Sequence, residues 1–456
     1  LGDAAACRAE ADWLIGMNAT RAISIRLKSF NYEGVWTSGR VQTPTLTMLV
    51  DRELEIYSHR ATPFWLINAS FSAGGQTYEA RFHKSGIKKE SDRILSQEEA
   101  DSTLAQVHSA TNWTARDERS QQIRKAPLLF DLTSLQKAGN SLFGFSAKRT
   151  LDAAQRLYEG HKLISYPRTD SKFLPNDMRE SFDAIIKALT GYAPAAAGAR
   201  AIQSDGAQNV GRNYNDAKVT DHFAIVPLSV PQSPLSGDDE KIFNLIARQF
   251  EAAFMPPATW ALVKRYTDAA GLSFVCSGRV LETPGFETAF GKVAGDGSPL
   301  AALQQASDNP ADLVTAELEE KQTRPPARLS EARLLTKMET CGKEIDDDEL
   351  SEAMTTRGLG TPATRAETIE KLISRQYLAR DGKALRATAK AIRMIQVLRA
   401  VGASTLTSVE LTGEMEFRLK AVEGGSLTRS DYMLQVRAQT EDLTERLRDM
   451  AFDTLY

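Results

Sequence analysis

The chain has 456 residues, 42% of them hydrophobic and 25% charged, with a formal net charge of −3. That length exceeds what one compact core accommodates, so about two to four domains are expected, and no run of about 18 uninterrupted apolar residues is present to span a membrane. Its three cysteines, Cys7, Cys276 and Cys341, lie far apart and form no CxxC pair, which rules out a zinc ribbon within this sequence, gives no sign of a disulfide framework and points to a reducing cytoplasm. Charge is segregated along the chain: from Arg116 to Lys172 there are 11 Lys/Arg against 6 Asp/Glu, whereas "EIDDDEL" at 344–350 is acidic. The sequence opens on Leu1 with no signal-peptide pattern after it and reads as a portion of something longer.

In chain order, "AEADWLIGMNATRAISIRL" predicts a helix with Trp13, Leu14, Met17 and Ile23 as its apolar positions. A polar link, "TSGRVQTPT", leads to a second helix carrying Leu46, Leu49 and Leu54, with Pro44 in its first turn. From about Thr62 the period changes to alternation around a Gly-Gly turn, which predicts a β-hairpin. Strand signals return at 259–282 and near 313–318, on either side of a mostly helical stretch at 123–255. One β domain interrupted by a helical insertion is the economical reading. Within the insertion two short helices are predicted, the first stopped by Gly144 and the second capped by Ser146. On the second, Leu151, Ala154, Leu157 and Tyr158 share a face, and the β-prone "KLISYPR" follows, giving a winged-helix outline. From about Pro326 the chain is helical again, with Pro362 near the start of a helix in "GLGTPATRAETIEKLISRQYLAR".

The chemistry concentrates in "HKLISYPRTDS". A phenol is a poor nucleophile at neutral pH unless its proton is removed or its anion stabilised. Arg168 stands two residues after Tyr166, so on a strand the two share a face, and a guanidinium there could hold a phosphate. A core tyrosine beside a surface arginine is the competing assignment on this tripeptide alone. His161 and Lys162 add positive field, and His222 in "TDHFAIVPL" has Lys218 and Asp221 as polar neighbours. "SGRVQT" (38–43) and "GLGTPAT" (358–364) each offer backbone amides and hydroxyls or an arginine to a phosphodiester, with a plain turn as the alternative. No cluster has metal-ligand spacing, and no P-loop occurs, so ATP is not implied.

Together, "SGRVQTPTLTMLVDRE", "LYEGHKLISYPRTDSKFLP", "DHFAIVPL" and "GLGTPATRAETIEKLISRQYL" occur in the order seen in type IA DNA topoisomerases. The sequence resembles their topoisomerase III branch through "ADWLIGMNATRA" and "HKLISYPRTD". The likeness runs from about residue 11 to about residue 425. It implies a multidomain α+β toroid with helical domains, a β-rich arch and winged-helix-like units. The segments expected are a helical domain (1–57 and 326–456), an arch (58–122 and 256–325) and a tyrosine domain (123–255). By the same resemblance Tyr166 matches the nucleophile that becomes joined to a 5′-phosphate of single-stranded DNA, Arg168 the phosphate-positioning arginine, and His222 a histidine beside them. Ser38, Gly39, Arg40, Val41, Gln42 and Thr43 match the DNA-contacting loop, Thr364 a threonine of the strand-binding groove, and Asn18 and Arg21 polar positions lining it.

Family members begin with an acidic domain that supplies a Mg²⁺ site and a catalytic glutamate. The chain starts near the helix that follows that domain, and "EIDDDEL" lies in the wrong position to replace it. The resemblance therefore implies Mg²⁺ for the parent enzyme with ligands outside this chain, no metal bound by its own residues and no ATP. It further implies single-stranded DNA as partner, no membrane partner, a monomer, and a bacterial, nucleoid-associated cytoplasmic location. The isolated chain is expected to bind single-stranded DNA and to be catalytically incomplete; the alternative is a non-catalytic DNA-binding or scaffold module.

Overall fold

The computed structural model describes residues 2–84, 92–219, 221–235, 237–301, 303, 309–341 and 358–451; the acidic 344–350 segment lies outside them. The chain begins with helices α1 (Gly2–Ser29) and α2 (Gln42–Ser58) and enters a sheet through β1 (Pro63–Ala73) and β2 (Gln76–Phe82). Gly74 and Gly75, both at positive φ, make the two-residue turn between these strands, and Ala73 pairs with Gln76 across it. Helix α3 (Gln97–Ser109) precedes β3 (Trp113–Arg124).

A helical insertion follows: α4 (Leu132–Phe143), α5 (Ala147–Glu159), α6 (Arg179–Thr190), α7 (Ala196–Asp205), the short α8 (Val210–Asn213) and α9 (Gly237–Ala253). The sheet resumes with β4 (Ala258–Ala269), β5 (Leu272–Thr283), β6 (Gly297–Ser298) and β7 (Asn309–Gln322). Last come α10 (Glu331–Thr340), α11 (Pro362–Ser374), the hairpin β8 (Leu378–Asp381) and β9 (Ala384–Ala387), and helices α12 (Ala389–Ala400), α13 (Ser404–Thr407), α14 (Val409–Glu423) and α15 (Arg429–Asp449).

The strand order β2-β1-β7-β3-β4-β5-β6, with β2 also pairing β5, closes the sheet on itself as a barrel. Two antiparallel ribbons tie it to the rest of the chain. β3 and β4 stay paired out to Arg124 and Ala258, the two ends of the insertion. β1 and β7 stay paired out to Pro63 and Gln322, where the chain passes to α2 and toward α10.

Each body has its own buried apolar cluster: one of α1, α2 and the C-terminal helices, one of the insertion with the adjoining ends of β4 and β5, and one within the barrel. Polar contacts between the insertion and α10–α11 join the first and second bodies. With the two ribbons, those contacts complete a ring, the toroid that the sequence resemblance implies.

The sequence placed Trp13 and Met17 on the apolar stripe of α1, but they are 63% and 45% exposed. The buried stripe is Cys7, Ala11, Ile15, Ala19, Ile23 and Leu27, one every fourth residue, with α15 packed along the helix. Small side chains on that stripe let the two backbones approach, so side-chain size was a misleading guide to burial. "KLISYPR" likewise forms no ladder strand. Ile164 makes a lone bridge to Pro227, and the Ser165 amide donates to the Val226 carbonyl at 3.0 Å. Pro167 and Pro227 lack the N–H groups that a longer ladder would need. The two helix-end expectations agree with the structure: Gly144 ends α4 at φ 72°, and the Ser146 side chain accepts from the Arg149 amide.

Glu251, in the last turn of α9, is fully buried, and no side chain is hydrogen-bonded to its carboxylate. A Cβ on Gly198 of α7 would lie 2.3 Å from its Oε2, so only glycine allows that approach. Burial pushes the carboxyl up to about 8, against the lowering pull of the Ala199 amide and Arg248. The folded state therefore holds a proton that the unfolded state, near its reference value of 4.5, has released. Stability of the insertion is expected to fall by about 3 kcal/mol as pH rises from about 5 to about 8. Glu251→Gln should remove that dependence; amide exchange along α9 that steepens equally in parent and variant would contradict it.

Candidate active site and nucleic-acid interface

Tyr166 stands where the chain turns back from α5. Lys162, at φ 54°, makes the reversal, and the Leu163 amide donates to the Leu157 carbonyl at 2.9 Å. The half-buried Tyr166 ring packs edge-on against Tyr158 of α5, with centroids 5.3 Å apart. It also packs against His222, with centroids 4.4 Å apart and planes inclined by 50°.

The surrounding segment is clamped by hydrogen bonds. Ser165 Oγ donates to Ala224 O (2.8 Å), Thr169 Oγ1 to His222 O (2.8 Å), and Ser171 Oγ to Lys218 O (2.9 Å). The Leu132 amide donates to Thr169 O at 3.0 Å, so the head of α4 holds the other side. His161 faces Asp239, with Nε2 3.6 Å from Oδ2, while Lys162 Nζ lies 5.6 Å over the Tyr158 ring.

Arg168 is exposed, and its charge reaches α11. The Glu367 carboxyl is held below its usual range first by its hydrogen bond to Lys371 and in smaller part by Arg168. Thr364 occupies the first turn of the same helix and forms a reciprocal capping box with Thr361. The structure thus packs Tyr166 on His222, with Arg168 two residues further along the same clamped segment and its charge felt at Glu367 of α11.

The 38–43 loop abuts that region through glycine. A Cβ at Gly360, φ 74°, would meet Val41 Cγ1 at 3.1 Å. The loop is stitched internally. Ser38 Oγ lies 3.0 Å from Thr43 Oγ1, the Gly39 amide donates to Thr43 Oγ1 at 3.0 Å, and the Ser38 amide donates to Thr20 Oγ1 at 3.0 Å. Gln42 Nε2 donates to Thr37 Oγ1 at 3.0 Å.

Arg40 departs from the sequence expectation of a phosphate-gripping side chain. It is 4% exposed, with Nε 2.6 Å and Nη2 3.2 Å from the two Asp12 oxygens and Nη1 bonded to Glu416. Burial lowers its pKa, but Asp12 and Glu416 outweigh that and hold it above the usual arginine value. Carboxylates 28 and 376 residues away leave no local signal, so the sequence could not show that this guanidinium is already occupied. Asn18 is half-buried and donates to its own helix at Leu14 O, 2.8 Å away, whereas Arg21 is exposed.

Sequence reasoning treated Tyr158 as a face residue and passed over Thr169, Glu367 and Arg365. Arg365, in the first turn of α11, is buried and donates from Nη1 to Thr133 Oγ1 at 3.0 Å and from Nε to Leu359 O at 3.4 Å. Among the described residues, no group of three or more His, Cys, Asp or Glu side chains is arranged to hold a metal ion.

The chain is thus a ring of three apolar cores, with Tyr166 packed on His222 inside the insertion. A family model described as DNA topoisomerase matches residues 1–434, and the chain belongs to that family, in its type IA division. Among curated relatives it is 32% identical to the DNA topoisomerase 3 of Bacillus subtilis (strain 168), covering 98% of this chain and 60% of that protein. It is 30% identical to the DNA topoisomerase 3 of Vibrio cholerae, covering 98% of this chain and 70% of that protein. The solved structure of full-length topoisomerase I from Thermotoga maritima has the same fold, with a TM-score of 0.70 at 23% identity over 98% of this chain and 69% of that one. The chain spans about 60% of the length of the Bacillus relatives. No helix among the described residues is long and apolar enough to cross a membrane.

Proposed function

We propose that this chain carries the nucleophile of a reaction that cuts and rejoins one DNA strand, with a second strand passing through the opening. Tyr166 Oη attacks the phosphorus of a phosphodiester in single-stranded DNA. The phenol gives up its proton, an Oη–P bond forms, the P–O3′ bond breaks, and the freed 3′-oxygen takes a proton. Rejoining reverses each step, with the 3′-oxygen attacking and the phenol leaving, so no ATP is consumed. Arg168 neutralises charge that builds on the non-bridging oxygens, and His222 fixes the ring from which Oη projects. The 38–43 loop and the first turn of α11, with Thr364, line the path of the bound strand, while Asn18 and Arg21 extend it along α1. In this reading Arg40 acts by holding the loop in shape.

The observation that carries the reading is the ring contact of Tyr166 with His222, on a segment that carries the exposed Arg168 and is clamped to Lys218, His222 and Ala224. It is tested by mixing full-length protein with a labelled single-stranded oligonucleotide and Mg²⁺, quenching with denaturant and mapping the cross-linked peptide. An adduct through the 5′-phosphate at Tyr166 is expected; an adduct at another residue would sink the assignment. The isolated chain is proposed to bind single-stranded DNA without relaxing supercoils. Relaxation by the 456-residue chain alone, with Mg²⁺ supplied, would overturn that part.

A further inference from the structure

The contacts that close the ring differ in kind from those inside each body. Of the buried apolar residues packed into the cluster of α1, α2 and the C-terminal helices, Ala147 alone comes from the insertion. The cluster of the insertion takes none in return. Among the described residues the hydrogen bonds that cross the seam are made, on the insertion side, by α4, α5 and the link between them. Arg365 Nη1 donates to Thr133 Oγ1 (3.0 Å), the Ala332 amide to Asn140 Oδ1 (3.1 Å), and Lys383 Nζ to Ser141 O (2.8 Å). Lys137 Nζ pairs with Glu339 Oε2 at 2.8 Å.

The fifth contact, like that of Arg365 with Thr133, is buried on both sides. Glu331, 3% exposed, accepts the Ala147 amide on Oε2 at 2.8 Å, and Arg380 Nε on Oε1 at 2.8 Å. Ala147 N–H is the first donor of α5 and has no partner within that helix. A carboxylate from one body therefore caps a helix of the other, backed by an arginine that also forks onto Glu370 at 2.6 and 3.3 Å. α5 is the helix whose Tyr158 packs on Tyr166.

Parting an apolar seam exposes surface that water receives badly, and the cost grows with area. Polar groups exchange partners with water at a net cost of about 0.5–1.5 kcal/mol each. A seam of this kind holds closed and still opens as a unit. We propose that Glu331 and the Lys137–Glu339 pair form a releasable latch that seats the Tyr166-bearing insertion on α10 and α11 and sets how readily the ring opens. The proposal deepens the strand-passage reading and rests on it for its consequence, although the opening itself is measured without DNA.

The test places dyes at Glu180→Cys, on the insertion, and Glu441→Cys, on α15, in a Cys276→Ser background of the full-length protein, Cys7 and Cys341 being buried. Single-molecule distances are then recorded without DNA. Lys137→Glu and Glu339→Lys should each raise the separated population about three- to fivefold, the range open to a partly exposed ion pair. The double charge swap should return it to the parent value, which loss of packing would not do. Glu331→Ala should raise it about tenfold, in keeping with loss of a buried hydrogen-bonded carboxylate. Lys137 and Glu339 are 27% and 29% exposed, so the swap reads out the latch even where Glu331→Ala fails to fold. Unchanged distances in both single variants, or a swap as open as either, would overturn the proposal. Failure of the Tyr166 adduct would overturn the functional reading and leave these distances untouched.

Discussion

Tyr166→Phe is expected to abolish the covalent protein–DNA adduct, and Arg168→Ala to slow its formation by about 10²–10³-fold. The first effect is absolute because no other atom of the side chain can form the ester. The ring itself should stay in place: its packing on Tyr158 and His222 involves the aromatic faces and edges, which phenylalanine keeps. DNA affinity of Tyr166→Phe should therefore match the parent, and its steep salt dependence, set by phosphate contacts elsewhere, should persist. Arg168→Lys should recover part of the rate, because lysine restores the charge but not the planar fork. Quenched time courses on one labelled oligonucleotide separate these cases. An adduct in Tyr166→Phe, or an Arg168→Ala rate within a few-fold of the parent, would contradict the roles assigned here. The non-catalytic alternative predicts no adduct in the parent with affinity intact.

Arg40→Ala is expected to destabilise the body formed by α1, α2 and the C-terminal helices by about 3 kcal/mol, the lower end of the range for breaking a buried ion pair. The lower end is argued from Arg8, whose Nη1 lies 2.8 Å from Glu416 Oε1 and stays as a partner once Arg40 is gone. Burial raises the Glu416 pKa, while Arg40 and Arg8 together hold it below the usual carboxylate range. The Glu416 contribution is thus present above the ordinary glutamate pKa and lost as pH falls through the folded value. Removing Arg40 should shrink that acid-side loss. Arg40→Lys should fall between, since an ammonium cannot bridge Asp12 and Glu416 with the spread of a guanidinium. Denaturation followed through Trp36, 4% exposed in this core, gives the measurement. A variant as stable as the parent would mean that the buried pair contributes nothing. The 38–43 loop should lose its shape with the pair, so DNA binding should weaken without any lost phosphate contact.

Most local features were legible because their causes are local. Gly74-Gly75, Gly144, Ser146 and Pro362 each mark a turn, a stop or a cap through a neighbour within four residues. The motifs around Tyr166, His222 and Thr364 identified the family because their order is itself information in the chain. The α1 stripe was misread because side-chain size does not reveal which face another helix will cover. The strand expected at Tyr166 failed because its pairing partner, 224–228, ends in a proline region that cannot complete a ladder.

The sequence alone determined the first helices, the β1–β2 hairpin and the order of motifs that marks the family, since these depend on residue type, short spacing and chain order. Tertiary structure alone decided that β2 meets β5 to close the barrel, that Arg40 is spent on Asp12 and Glu416, and that Glu331 caps α5 from across the seam. Each is a pairing between charges or backbone groups far apart in the chain. Loop closure and burial select such partners, and no pattern of neighbouring residues encodes them.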